Sequence, residues 1–160
     1  MSIKVRVKEE SQVEVLSIKE YKSRITAKLQ VESLKISISD LEKDKERLKK
    51  AINTICELLD FFLEEKVQSL KHVRIEIKSN VYFSPIYVRE NPVEGYITSS
   101  GNTIKISNPS KRIILHEILH LIYPQSPEWF IEEEVKKRLG CKTFAERFLE
   151  KHVFAYTLVD

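Results

Sequence analysis

Hydrophobic residues along this chain change period twice. From Ser2 to Ile18, the residues Ile3, Val5 and Val7 alternate with Lys4, Arg6 and Lys8, and Val13 and Val15 repeat the pattern after Glu9-Glu10-Ser11. A period of two belongs to a strand with one face buried, so the stretch predicts a β-hairpin. Between about Ala27 and Phe62 the spacing lengthens. Val31, Leu34, Ile38, Leu41, Lys45, Leu48, Ile52, Ile55, Leu59 and Phe62 fall three or four apart, and nine of these ten are apolar. That is the seam of a heptad repeat, and it predicts a long helix over 27–62 able to pair with a second copy as a homodimer. The same residues admit another reading: a strand at Leu34-Lys-Ile-Ser-Ile-Ser39, an N-cap near Ser39 or Asp40, and a shorter helix to about Gln68. Leu58, Phe61 and Leu63 lie off the seam, so the end of this helix packs against the rest of the protein.

From His72 onward the period of two returns. Val73, Ile75 and Ile77 predict one strand, and Val81 to Val88, broken by Pro85, a second at an edge or bend. Tyr96–Thr98 and Thr103–Ser107 flank Ser99-Ser-Gly-Asn102 as a hairpin. Ser110 is suited to cap a helix that runs to Tyr123 and stops at Pro124. Ser126-Pro127 starts another, Gly140 ends it, and Thr143 begins a last helix to about Phe154. The expected class is α+β: a small mixed or antiparallel sheet with three C-terminal helices, preceded by the hairpin and the heptad helix. Two units follow, 1–69 and 70–160.

Composition narrows the function. With 42% hydrophobic and 32% charged residues among 160, the chain is apolar enough to fold. It holds no apolar run long enough to span a membrane. Its charged start lacks the apolar core of a secretory signal, which predicts a cytoplasmic protein. Two cysteines, Cys56 and Cys141, make neither a disulfide framework nor a thiolate zinc site. The net charge is only +3 and is spread evenly, so there is no strong nucleic-acid signal. Lys43 to Lys50 alternates with Asp44 and Glu46 and reads as a solvated helix face.

The chemistry concentrates in His116-Glu117-Ile118-Leu119-His120. Histidines at i and i+4 share one helix face and can both ligate one zinc ion. Glu117, about 100° round the helix, can act as general base without ligating. Apolar residues surround the motif, from Ile113 to Leu115 and from Ile118 to Ile122. Buried histidines and a buried carboxylate need partners, and a cation serves all three. A third ligand must come from elsewhere: His72, His152 or one of Glu132-Glu133-Glu134, which starts 12 residues after His120. If Ile131, Val135 and Leu139 face inward, the angular argument favours Glu132 modestly.

The segment Pro127-Glu-Trp129-Phe130-Ile-Glu132 resembles the Pro-x-Trp-Phe/Leu-x-Glu-Gly pattern of gluzincin metallopeptidases. That resemblance implies a zincin-like domain over roughly the last 90 residues, the size of a minigluzincin. It implies His116, His120 and Glu132 as Zn2+ ligands and Glu117 as base, and an active-site helix followed by a glutamate helix. Glu133 stands where the family has Gly, and the spacer is shorter than in larger members, which keeps Glu133 as the runner-up ligand. The implied activity is zinc-dependent cleavage of a peptide or protein substrate, with latency through the apolar tail Phe154–Asp160 as a variant. Tyr156 and His152, ahead of Tyr123, are the candidates for holding the oxyanion. The rival reading is a non-catalytic dimeric adaptor whose metal is structural.

Overall fold

The computed structural model describes residues 3–4, 13–79, 95–97 and 102–140. The chain is a mixed α+β protein. Among the described residues, seven strands are formed: β1 (Ile3–Lys4), β2 (Val13–Glu20), β3 (Ile25–Val31), β4 (Leu34–Asp40), β5 (His72–Ile77), β6 (Gly95–Ile97) and β7 (Thr103–Ile106). They form one sheet in the order β1-β2-β3-β4-β5-β7-β6. The first four pair antiparallel in sequence order. β5 then lies parallel to both β4 and β7, and β6 closes the row antiparallel to β7.

The long heptad helix is not formed. Residues 25–40 are β3 and β4, and helix α1 begins only at Lys45 and ends at Glu57. The second reading, strand then shorter helix, matches the order seen. The heptad template had selected Val31, Leu34 and Ile38 while passing over Ile25, Ala27, Leu29 and Ile36. All seven are buried, in strict alternation along two strands. β-Branched residues alternating with polar ones fit a pleated surface better than a helix, and the two-residue turn at Glu32-Ser33 breaks any helix there. Glu32 takes a left-handed φ of 55°, which lets the hairpin turn without glycine. The proposed dimer through 27–62 loses its continuous seam with the helix.

α1 starts where Asp44 accepts hydrogen bonds from the amides of Glu46 and Arg47. Two short helices, α2 (Leu59–Phe62) and α3 (Glu65–Gln68), carry the chain back to β5. Gln68 fastens this return: its amide nitrogen donates to the carbonyls of Val31 and Phe62, and its oxygen accepts from Ser33. The other helices among the described residues are α4 (Lys111–Ile122) and α5 (Glu128–Arg138). Ser110 caps α4 by accepting from the Ile113 amide, as its position predicts. α4 packs against β6, β7, α1, α3 and α5. It is therefore wrapped on most sides, which is why its sequence is apolar nearly all round. The predicted strand over 81–88 and the last helix from Thr143 lie outside the described residues.

Candidate metal centre

Helix α4 buries Ile113, Ile114, Leu115, Ile118 and Leu119 and leaves His116 and His120 on the side facing α5. Pro124 and the short link to Pro127 let α5 fold back beside it. α5 is seated by Ile131 and Val135, both essentially without exposure. At its far end Arg138 pairs with Glu64 and lies over the Phe61 ring, 5.2 Å from the centroid. These contacts fix which carboxylates meet the histidines.

Glu128, in the first turn of α5, meets both rings. Its Oε1 lies 2.7 Å from His116 Nε2 and its Oε2 lies 2.9 Å from His120 Nε2. The two Nε2 atoms are 3.1 Å apart. One ligand atom each from His116, His120 and Glu128 falls within a 4.8 Å group. Glu132, one turn further, places Oε1 2.9 Å from His116 Nδ1, on the other side of that ring. The approach is out of line for a hydrogen bond, and the buried Nδ1 has no hydrogen-bond partner.

These distances test whether a cation fits. Ligands about 2 Å from zinc in a tetrahedron lie roughly 3.3 Å from one another. The three donors stand slightly closer than that, as groups drawn together by shared protons do. Their proton count is awkward, however. One proton shared between the two Nε2 atoms makes a hydrogen bond, but the ring left unprotonated then faces a Glu128 oxygen acceptor to acceptor. A cation accepting both lone pairs and one carboxylate oxygen removes the conflict, so this donor set could hold a metal ion. His120 has its pKa lowered, chiefly by burial and further by His116, although Glu128 opposes the shift. The neutral imidazole that ligates metal is thereby favoured.

The structure gathers His116 and His120 with Glu128, which the motif reading passed over, and sets Glu132, the expected third ligand, at the opposite ring nitrogen of His116. A signal was present: Glu128 and Glu132 are spaced i, i+4, the same spacing as the two histidines. Glu117 is buried at 7% exposure on the same helix. The other candidates fall elsewhere. His72 is exposed on β5, 3.4 Å from Ser37. Glu133 and Glu134 are within ion-pair range of Lys136 and Lys137. Tyr123 ends α4 with its ring edge-on to Phe130 and beneath the Lys66 ammonium. Tyr156 and His152 lie outside the described residues, as does the tail 154–160. No protein-family model, curated protein or solved structure matches the chain. The gluzincin reading therefore rests on these residues alone. Among the described residues, no helix is long and apolar enough to cross a membrane.

Proposed function

We propose that the chain is a zinc-dependent peptidase whose metal is held by His116, His120 and Glu128. The observation that carries this reading is the convergence of two imidazole nitrogens and one carboxylate between α4 and α5. Three protein ligands with an open position are the pattern of a catalytic zinc rather than a structural one, which takes four. Glu132 does not close the set, because its oxygen stands at the opposite ring nitrogen of His116. It stands instead beside His116 Nδ1, the place from which a carboxylate behind a metal-ligating histidine would accept the ring N–H once the two come into line.

Bound zinc would supply Lewis acidity, making a water acidic near neutral pH and polarising a peptide carbonyl. Glu117 is the residue we assign to take the water proton and hand it to the leaving amine. It follows His116 directly and lies about 60° round the helix from His120, given roughly 100° per residue. Its buried setting excludes bulk water from that proton. His116 and His120 act as neutral donors, and Glu128 contributes the one ligand charge.

The test joins metal analysis to a peptide-library digest. The zinc-loaded chain should cleave peptides, and Glu117→Ala should remove cleavage while leaving zinc stoichiometry unchanged. Absence of bound zinc, or cleavage surviving Glu117→Ala, rejects the reading. Full zinc occupancy with no cleavage of any peptide favours the non-catalytic metal-bearing alternative.

A further inference from the structure

The apolar face of the sheet is covered by α1 and α4, and the opposite face carries no helix among the described residues. Cross-strand pairing sorts that face into rows. Ser17, Lys28, Ser37, Arg74 and Thr103 stand opposite one another across five strands. Hydroxyls and cations alternate in this row, and it holds no carboxylate. Lys28 and Arg74 are exposed, with Ser37 between them. Neighbouring strands lie about 4.8 Å apart, so the two cations stand roughly 10 Å from each other at their backbones.

The flanking rows add Lys35 on one side and Lys19 and Lys105 on the other. Against these five cations stand two carboxylates, Glu14 and Glu76, and Lys105 lies 3.9 Å from Glu76. Lys28, Lys35 and Arg74 have no ion pair among the described residues. The surplus on this face is as large as the +3 carried by the whole chain. Linear reading misses it, because strand alternation places each lysine beside apolar residues and only the register gathers them.

We infer that this face binds double-stranded nucleic acid through its phosphates, without reading sequence. Charge complementarity calls for a polyanion, and long Lys and Arg side chains between Ser and Thr hydroxyls supply phosphate contacts. The five-strand row offers no aromatic side chain on which unstacked bases could lie, which a single strand would need. It offers no apolar side chain to enter a lipid surface either. A duplex, with bases stacked inside and phosphates outside, asks only for what the face provides. The inference is independent of the metal centre.

Fluorescence anisotropy with a labelled random-sequence duplex tests it on the full chain. Sequence-independent binding is expected with a Kd of about 10⁻⁶–10⁻⁴ M near physiological salt, and with a log–log salt slope of about −3 or steeper. The charge reversal K28E/R74E should weaken binding about tenfold or more and flatten that slope. K28Q/R74Q, a milder change at exposed positions, should give an intermediate loss. Lys49→Glu, exposed on α1, and His116→Ala should leave binding within about twofold. The inference is overturned by no binding at low salt, by equal loss from Lys49→Glu, or by tighter binding of a single strand of equal charge. Binding to phosphatidylserine–phosphatidylcholine vesicles in place of the duplex also overturns it.

Discussion

Two charged clusters sit on this scaffold, and they are built on opposite plans. At the end of β4, Asp40 is without exposure, yet its carboxylate accepts four hydrogen bonds, three at Oδ1 and one at Oδ2. It accepts from the amides of Glu42 and Asp44 at 2.9 and 3.0 Å and from Arg47 Nε and Nη2 at 2.9 and 3.0 Å. Glu42 takes another Arg47 hydrogen bond and two from Ser79. Between α4 and α5 the count fails: four side chains crowd together, two ring nitrogens face each other, and His116 Nδ1 is left without a hydrogen-bond partner. A cluster whose donors and acceptors balance has nothing left to bind. One that converges without balancing could hold a metal ion.

The largest effect that separates the two plans is on stability. Asp40→Ala leaves two backbone amides without their acceptor and leaves Arg47 only Glu42 and Asp44, and breaking a buried pair of this kind costs about 3–5 kcal/mol. Denaturant unfolding should show that loss. Glu128→Gln, at an exposed position, should shift apo stability by less than about 1 kcal/mol. A comparable loss at both sites would erase the distinction drawn here.

Metal affinity should show the reverse order. His116→Ala, His120→Ala and Glu128→Gln each remove a donor and should weaken zinc binding by more than about 100-fold in a chelator competition. Glu132→Gln should cost about 10–100-fold, as expected of a group that only orients a ligand. Should Glu132→Gln prove the more damaging of the two carboxylate changes, the ligand is Glu132, as the Trp-Phe-x-Glu resemblance implied. Asp40→Asn should leave zinc affinity unchanged.

The smallest effects are in pH dependence, and they have the same sign for different reasons. Glu42 is held at a pKa of about 2, first by Arg47 and then by Ser79. Its folded pKa lies below its unfolded one, so its stabilisation is present above about pH 4.5 and is lost as pH falls towards 2. A carbon-detected NMR titration should show its carboxyl unprotonated well below the ordinary range. His120 also has a lowered pKa, from burial. Below about 6.5 the unfolded chain takes up that proton more readily, so apo stability falls as pH drops through this range. Zinc should abolish the His120 titration and leave that of Glu42 untouched.

The sequence made the His116–His120 pair legible because a helix turns i and i+4 to one side, whatever the tertiary context. Ser110 as cap and Ile131 and Val135 as the inward side of α5 were legible for similarly local reasons. Glu128 was not, because which carboxylate of a helix meets a neighbour depends on how far that helix slides along it. Here Arg138, Glu64 and the aromatic contact of Phe130 with Tyr123 set the slide. The stretch 25–40 was ambiguous because apolar residues three and four apart also occur where two alternating strands meet at a turn. The parallel pairing of β4 with β5 had no signal at all, since it joins residues 35–40 to 72–77.

That pairing also limits how the molecule can be taken apart. A fragment beginning at residue 70 would carry the candidate metal centre but would bare the backbone of β5 along the line where Ile36 and Ile38 meet Val73 and Ile75. Such a raw margin recruits other chains, and the fragment should precipitate rather than report on zinc chemistry. Grafting the centre into another host therefore requires bringing the meander with it, since its fourth strand is the wall on which the rest is hung.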